Sequence, residues 1–321
     1  MQYPFKCFVL CIALISWSWP AGAAYPDRPV KLVLPLPAGS ATDVVARILA
    51  GAVSESLGQP VVVENRPGAD GAIAGAYVAK APADGYTLLF GTNSPMAAAP
   101  AMRKTPPYDP VGDFTPISLV GRYSSFLWVN SSLSFRSLRE VLDYARANPG
   151  KLTYATGNTG GMVAMAQMLS LAGKIKMTHI PYKGEPAALI DVVSNRVQLM
   201  FATPSAAGGY ARDGKLRALV TTLSARSPGE PAVPTMAEAG LPEFSITLWA
   251  GLYGPPGMPA ELAKRLSDEV GKALGREEVR RQLVAQQFFP EASTPQYLAD
   301  FTRDQLAAYA KTLREAGFQP D

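Results

Sequence analysis

The chain has 321 residues, with 30 Lys and Arg against 26 Asp and Glu, and its net charge of +4 is spread without a block of like sign. A scattered basic balance favours solubility and, mildly, anionic ligands; it is not a nucleic-acid patch, so nucleic acid is excluded as a partner. One histidine, His179, and two cysteines, Cys7 and Cys11, leave little material for metal sites, thiol nucleophiles or disulfides.

Residues 1–23 predict a secretory signal peptide. Lys6 precedes an apolar run from Cys7 to Trp19, and the small residues Ala21, Gly22, Ala23 and Ala24 follow. A basic start, about a dozen apolar residues and an A-x-A-like site mark a segment removed on export, here after Ala23 or Ala24. The run is too short to span a bilayer, which takes roughly 20 apolar residues. Leu10 before Cys11 does not suit a lipid-bearing cysteine. With both cysteines in the removed segment, a catalytic triad or zinc site would rest on His179 alone. No G-x-S-x-G, P-loop or Cys-x-x-Cys occurs, so no metal and no cofactor are expected.

The mature chain begins with strand–helix units. A strand is expected over 30–36, then a helix from Ser40 in which Val44, Val45, Ile48, Leu49, Val53 and Leu57 recur at helical spacing until Gly58 and Pro60 stop it. A strand at 61–63, a helix over 72–80 and a strand over 86–90 follow; continuous apolar strands between helices mean a parallel sheet covered on both faces. The rhythm then repeats: strand 126–129, a helix opened by the capping box Ser137-Leu138-Arg139-Glu140, strand 152–155, helix 162–172 and strand 177–180. Helix 186–195 and strands 197–201 and 216–221 complete it. A Pro-rich stretch over 228–234 precedes a long strand over 244–253, and helices over 259–274, 277–287 and from Thr294 to Gly317 end the chain.

This is an α/β pattern of two lobes, with crossings expected at 120–125 and 247–250. The first lobe would take residues 24–122 with 249–321, and the second 123–248. Ligands of open α/β sheets sit beyond strand carboxyl ends, at helix N-termini. Five such loops stand out: 37–43, Gly91-Thr92-Asn93-Ser94, Gly157-Asn158-Thr159-Gly160-Gly161, Tyr182-Lys183-Gly184-Glu185 and Thr203-Pro204-Ser205. In the first, Gly39 and the Ser40-Ala41-Thr42-Asp43 cap can offer backbone N–H groups to a carboxylate, or Ser40 and Asp43 can simply cap the helix. Asp43 would repel an anion, so its expected job is to hold the turn. Glu185, if it faces the cleft, would disfavour a second carboxylate. Small neutral donors on both sides suit capture of a polar solute better than catalysis, which needs a poised acid or base. His179 reads as a satisfied strand residue, and Met162, Met165 and Met168 as core.

Several ordered motifs then carry a family resemblance along nearly the whole mature chain. They include Pro35-Leu36-Pro37-Ala38-Gly39, Val62-Val63-Glu64-Asn65-Arg66-Pro67-Gly68, Ala81-Pro82-Ala83-Asp84-Gly85-Tyr86-Thr87-Leu88-Leu89, Ala147-Asn148-Pro149-Gly150-Lys151-Leu152 and His179-Ile180-Pro181-Tyr182-Lys183-Gly184. The sequence resembles the Bug receptors, the solute-binding proteins of tripartite tricarboxylate transporters. The resemblance implies a type II periplasmic binding protein fold, with two lobes, a ligand cleft and a hinge. It implies a non-enzymatic receptor for a small carboxylate or related polar solute, working with membrane transporter subunits in the periplasm. Carried over by position, the binding residues are Leu36, Ala38, Gly39, Ser40, Thr42 and Asp43 in the first loop. Opposite them come Thr92, Asn93, Ser94, Asn158, Thr159, Gly160, Gly184, Glu185, Thr203 and Ser205. Relatives often carry an aromatic at Leu36, a second Gly at Ser40 and an acid at Ala202, so a tricarboxylate is not the expected ligand. Two other readings share the residues: a carboxylate-sensing partner of a membrane signalling protein, and a cofactor-free hydrolase or isomerase with His179 or Glu185 as base.

Overall fold

The protein's structure, a computed structural model, describes residues 25–173 and 175–320. The signal peptide expected at 1–23, with Cys7 and Cys11, lies outside the described residues. The chain opens with β1 (Val30–Leu34), α1 (Ala41–Leu57), β2 (Val61–Asn65), a 3-10 turn at Ala69–Gly71, α2 (Ala72–Ala79) and β3 (Thr87–Thr92). A π-helical turn, Ser94–Ala98, runs into the single turn α3 (Ala99–Ala101), and β4 (Thr115–Tyr123) follows. The middle holds β5 (Phe126–Asn130), α4 (Leu138–Ala147), β6 (Thr153–Thr156), α5 (Thr159–Leu171), β7 (Thr178–Pro181), α6 (Glu185–Val193), β8 (Leu199–Ala202), α7 (Pro204–Arg212) and β9 (Leu216–Thr221). The chain then returns through β10 (Leu248–Gly254), α8 (Ala260–Gly275), α9 (Glu277–Ala285), β11 (Phe288–Pro290) and α10 (Pro295–Glu315).

These strands form two sheets, one ordered β11-β4-β10-β3-β1-β2 and the other β7-β6-β8-β5-β9. The strands joined by crossover helices are parallel, as their apolar runs require: β1 pairs with β2 and β3, and β6 with β7 and β8. Each sheet is nevertheless mixed. In the first, β10 pairs antiparallel with β3 and β4, and β11 with β4; in the second, β5 pairs antiparallel with β8 and β9. The chain passes between the sheets without a helix twice, from β4 to β5 and from β9 to β10.

Helices cover both faces of each sheet. Leu49 and Val53 of α1 meet Leu266 and Val270 of α8 on one side of the first sheet, while Val78, Trp249 and Leu298 fill the other. In the second, α4 and α5 bury Leu138, Met165 and Met168 on one face, and α6 and α7 bury Leu189 and Ala207 on the other. Helix α10 belongs to both cores: Leu298 packs with the first sheet, and Tyr309 and Leu313 pack with the second.

Several expected boundaries move for identifiable reasons. Helix α5 starts at Thr159 rather than 162, because the Asn158 side chain caps it by accepting the Gly161 N–H at 2.7 Å. Gly160 and Gly161 are therefore its first turn, not a loop. The strand expected over 244–253 is only β10, and the extended crossing at 120–125 is the end of the longer β4. Helix α7 was not expected; its Gly208 and Gly209 are poor helix formers, and burial of Ala207 offsets them.

The loop from β1 to α1 is held by Asp43, which is 4% exposed. Its carboxylate accepts the Gly39 N–H at 3.0 Å, Arg47 Nε at 2.9 Å and Asn65 Nδ2 at 2.8 Å. Asn65 Nδ2 also donates to the Leu36 carbonyl at 3.0 Å, tying the loop to the end of β2. The Arg47 guanidinium, helped by Asn65 and Gly39 against the opposing effect of burial, holds the Asp43 carboxyl down to about 2 from its ordinary 3.8. A carboxyl with a depressed folded-state pKa stabilises the fold above its ordinary value and loses that contribution as pH falls. Stability should therefore drop on the order of 2 kcal/mol between about pH 4 and pH 2 from this group. Asp43→Ala should cost about 2–3 kcal/mol at neutral pH, by stranding the Gly39 and Asn65 donors. Urea titrations of both proteins across that pH range check this, the Ala variant lacking the Asp43 share of the slope.

Candidate ligand-binding site

Beyond the carboxyl ends of the parallel strands, the two sheets enclose a cavity of about 470 Å³. Its first wall comes from Pro35, Leu36 and Pro37 after β1, Ala41 and Thr42 of α1, Pro67, Gly68, Asp70 and Gly71 after β2, and the run from Thr92 to Pro95 after β3. Tyr123 and Leu248, from the strands where the chain crosses between sheets, also belong to it. The second wall is Gly157, Asn158, Thr159, Gly160 and Thr203. A wider groove of about 990 Å³ along α8 is open surface on the first sheet's side alone. The smaller cavity is the one both sheets build.

The anion-attracting part of the first wall is the start of α1. Ser40 caps the helix by accepting the Asp43 N–H at 3.2 Å, so capping by this pair is observed. The first amides of a helix have no intrahelical acceptor, and those here belong to the lining residues Ala41 and Thr42. The helix dipole makes this a favourable seat for a carboxylate. The Gly39 N–H is not a free donor, because the Asp43 carboxylate takes it. Thr92, Asn93 and Ser94 bring hydroxyl and amide groups, the first two buried. Tyr123 also lines the cavity: burial pushes its phenol pKa up, opposed by the nearby Thr42 side chain, and its buried hydroxyl makes no hydrogen bond among the described residues.

The second wall is braced from behind. Glu185 accepts Asn158 Nδ2 at 2.8 Å on one carboxylate oxygen and the Thr203 hydroxyl at 3.0 Å on the other. Burial pushes its carboxyl pKa up, and those bonds from Thr203 and Asn158 oppose the shift. The loop before α5 comes so close to α6 that a Cβ at Gly157 would lie 2.4 Å from the Glu185 nitrogen, which only glycine avoids.

The structure thus brings Leu36, Thr42, Thr92, Asn93, Ser94, Asn158, Thr159, Gly160 and Thr203 together around one cavity. Ala38, Gly39, Ser40, Asp43, Gly184, Glu185 and Ser205 stand outside its lining. Of these, Asp43 and Glu185 orient lining loops, and Ser205 donates to the Thr203 hydroxyl at 3.0 Å. Asp70, Tyr123 and Leu248 escape the sequence reading. The first had a signal in the Gly-rich turn Pro67-Gly68-Ala69-Asp70-Gly71 after a strand; the others had none. His179 sits on edge strand β7, stacked on Tyr154 with centroids 5.0 Å apart and Nε2 2.7 Å from the Thr156 hydroxyl, and it does not line the cavity. Partial burial lowers its pKa.

Known proteins share this architecture and much of the sequence. Residues 45–318 match the family described as "Tripartite tricarboxylate transporter family receptor". Protein BugT of Bordetella pertussis is 36% identical over 309 residues, covering 95% of each chain. Among solved structures, an R. palustris protein with adipate superposes with a TM-score of 0.79 at 33% identity, over 92% of this chain and 100% of that one. MatC from Rhodopseudomonas palustris with bound malate gives 0.74 at 31% identity, over 90% and 100%. The chain belongs to the tripartite tricarboxylate transporter receptor family.

Proposed function

We propose that the protein is a periplasmic receptor that captures a small carboxylate-bearing solute and delivers it to the membrane subunits of a tripartite tricarboxylate-type uptake system. The observation that carries this reading is the cavity between the sheets, which sets the unsatisfied start of α1 among neutral donors from both sides. Similar proteins solved with adipate and with malate support a carboxylate as ligand. In this reading residues 1–23 direct export. One lobe of residues 24–122 with 249–321, whose last helix α10 also reaches into the second core through Tyr309 and Leu313, and a second of 123–248, close on the solute about the crossings near Ser124–Ser125 and Thr247–Leu248. The ligand contacts are Thr42, Thr92, Asn93, Ser94, Asn158, Thr159, Gly160 and Thr203, with Ala41 and Tyr123 added. Binding proceeds without turnover: neither His179 nor Glu185, the two candidate bases, lines the cavity.

A thermal-shift screen over mono-, di- and tricarboxylates tests the reading, since a ligand at 100 times its Kd adds about 2.7 kcal/mol of stability. At least one carboxylate should raise the melting temperature and be recovered unchanged. Conversion of the solute in more than stoichiometric amount, lost on changing His179, would overturn it. Because Glu185 braces both lining loops from behind, Glu185→Gln should weaken binding of every ligand by one common factor, roughly fivefold to tenfold, as one donor loses its charged acceptor. Calorimetry with two ligands of the same charge and different length checks that the ratio of their affinities stays constant.

A further inference from the structure

The cavity carries one carboxylate of its own. Asp70 lines it, and no Lys, Arg or His does. Asp70 takes part in no salt bridge among the described residues. Its Oδ1 accepts the Thr159 hydroxyl at 3.4 Å, across the cleft from the second sheet, and its main-chain carbonyl accepts the Ser94 hydroxyl at 3.0 Å. Arg103 reaches this turn from outside the lining, donating to the Ala69 carbonyl at 3.3 Å. The backbone fixes where the charge sits. Asp70 is left-handed at φ 54°, between Ala69 at 47° and Gly71 at 86°, and aspartate tolerates that region better than most residues. A Cβ on Gly71 would lie 2.9 Å from the Pro35 ring and 3.1 Å from that of Pro95, so the turn is seated directly against the ends of β1 and β3.

We infer that Asp70 selects the charge of the rest of the ligand: the cavity prefers a monocarboxylate whose other groups are neutral or cationic over a dicarboxylate of the same length. This rests on the receptor reading above and narrows its substrate class. A sphere of the cavity's volume is about 10 Å across, close to the Debye length at physiological salt, so any charge inside it feels Asp70. A first carboxylate is offset by the N–H groups and dipole of α1. A second one finds no cationic side chain in the lining and shares the space with Asp70. An ammonium, amide or hydroxyl there is attracted instead. Because Asp70 is exposed at the cavity mouth, water screens the effect, and it should be moderate and sensitive to salt.

Calorimetry on the full mature chain tests this with 6-aminohexanoate, hexanoate and adipate, and with the four-carbon set 4-aminobutanoate, butanoate and succinate. The wild type should bind the amino acid of a set more tightly than its dicarboxylate by roughly threefold to tenfold, the difference shrinking as salt is raised. Asp70→Asn, which keeps the size and suits the same backbone, should remove the preference at an unchanged melting temperature; Asp70→Gly provides the same comparison if the Asn variant folds poorly. A wild type that binds the dicarboxylates as tightly, or variants that leave the ratio and its salt dependence unchanged, would overturn the inference and leave the receptor intact. Absence of binding by every member of both sets to every protein would sink the receptor reading and the inference with it.

Discussion

Backbone amides can hold an anion without help from a cationic side chain only if they are fixed in place before it arrives. Here a buried carboxylate does the fixing. Asp43 joins the β1–α1 loop to α1 through Arg47 and to β2 through Asn65, and so aims the first amides of α1 without touching the cavity. Glu185 plays the same part across the cleft, joining the loop before α5 to the one before α7. Each wall therefore has an acid standing behind it, its charge taken up by donors in the loops it holds. This is pre-organisation in a concrete form: conformational freedom is lost on folding rather than on binding, which leaves more of the contact energy to appear as affinity.

The two walls also depend on each other through small residues and one long helix. A Cβ on Gly160 would fall 2.5 Å from Leu248 Cδ2 and 3.1 Å from Asn93 Nδ2, so a glycine in the first turn of α5 lets the second wall reach the strand ends of the first. Helix α10 spans the opposite problem. With Leu298 in one core and Tyr309 and Leu313 in the other, it packs into both sheets' cores at once.

Much of this was legible in the sequence, and the parts that were not share a cause. The parallel strands announce themselves as apolar runs, and the caps at Ser40, Ser137 and Thr294 appear where Ser or Thr precedes a helical period. Those signals are local. The long β4 and the short β11 are defined by pairing with segments far away: Gly121 lies opposite Ala250 and Pro290. No window of sequence contains that information. The same holds for the site. Four of the five strand-to-helix loops supplied much of the lining, the Tyr182–Glu185 loop supplied none, and Tyr123 and Leu248 join it from the crossing strands. The facing of Glu185 could not be read from its place beside Gly184, because its direction is set by Asn158 and Thr203, 27 residues before it and 18 after it in the chain.

The order of strands in the first sheet has a consequence for how the chain assembles. All strands of the second sheet lie between Phe126 and Thr221, whereas β10, at Leu248–Gly254, is inserted between β3 and β4 of the first. As the chain emerges from its N-terminus, the second sheet can be completed while the first still lacks an inner strand. Until then β3, whose Leu88, Leu89 and Phe90 are fully buried in the finished protein, presents an unpaired apolar edge of the kind that templates aggregation. The half of the molecule made first is thus the half finished last, and its vulnerable period lasts until the segment 248–254 has been made.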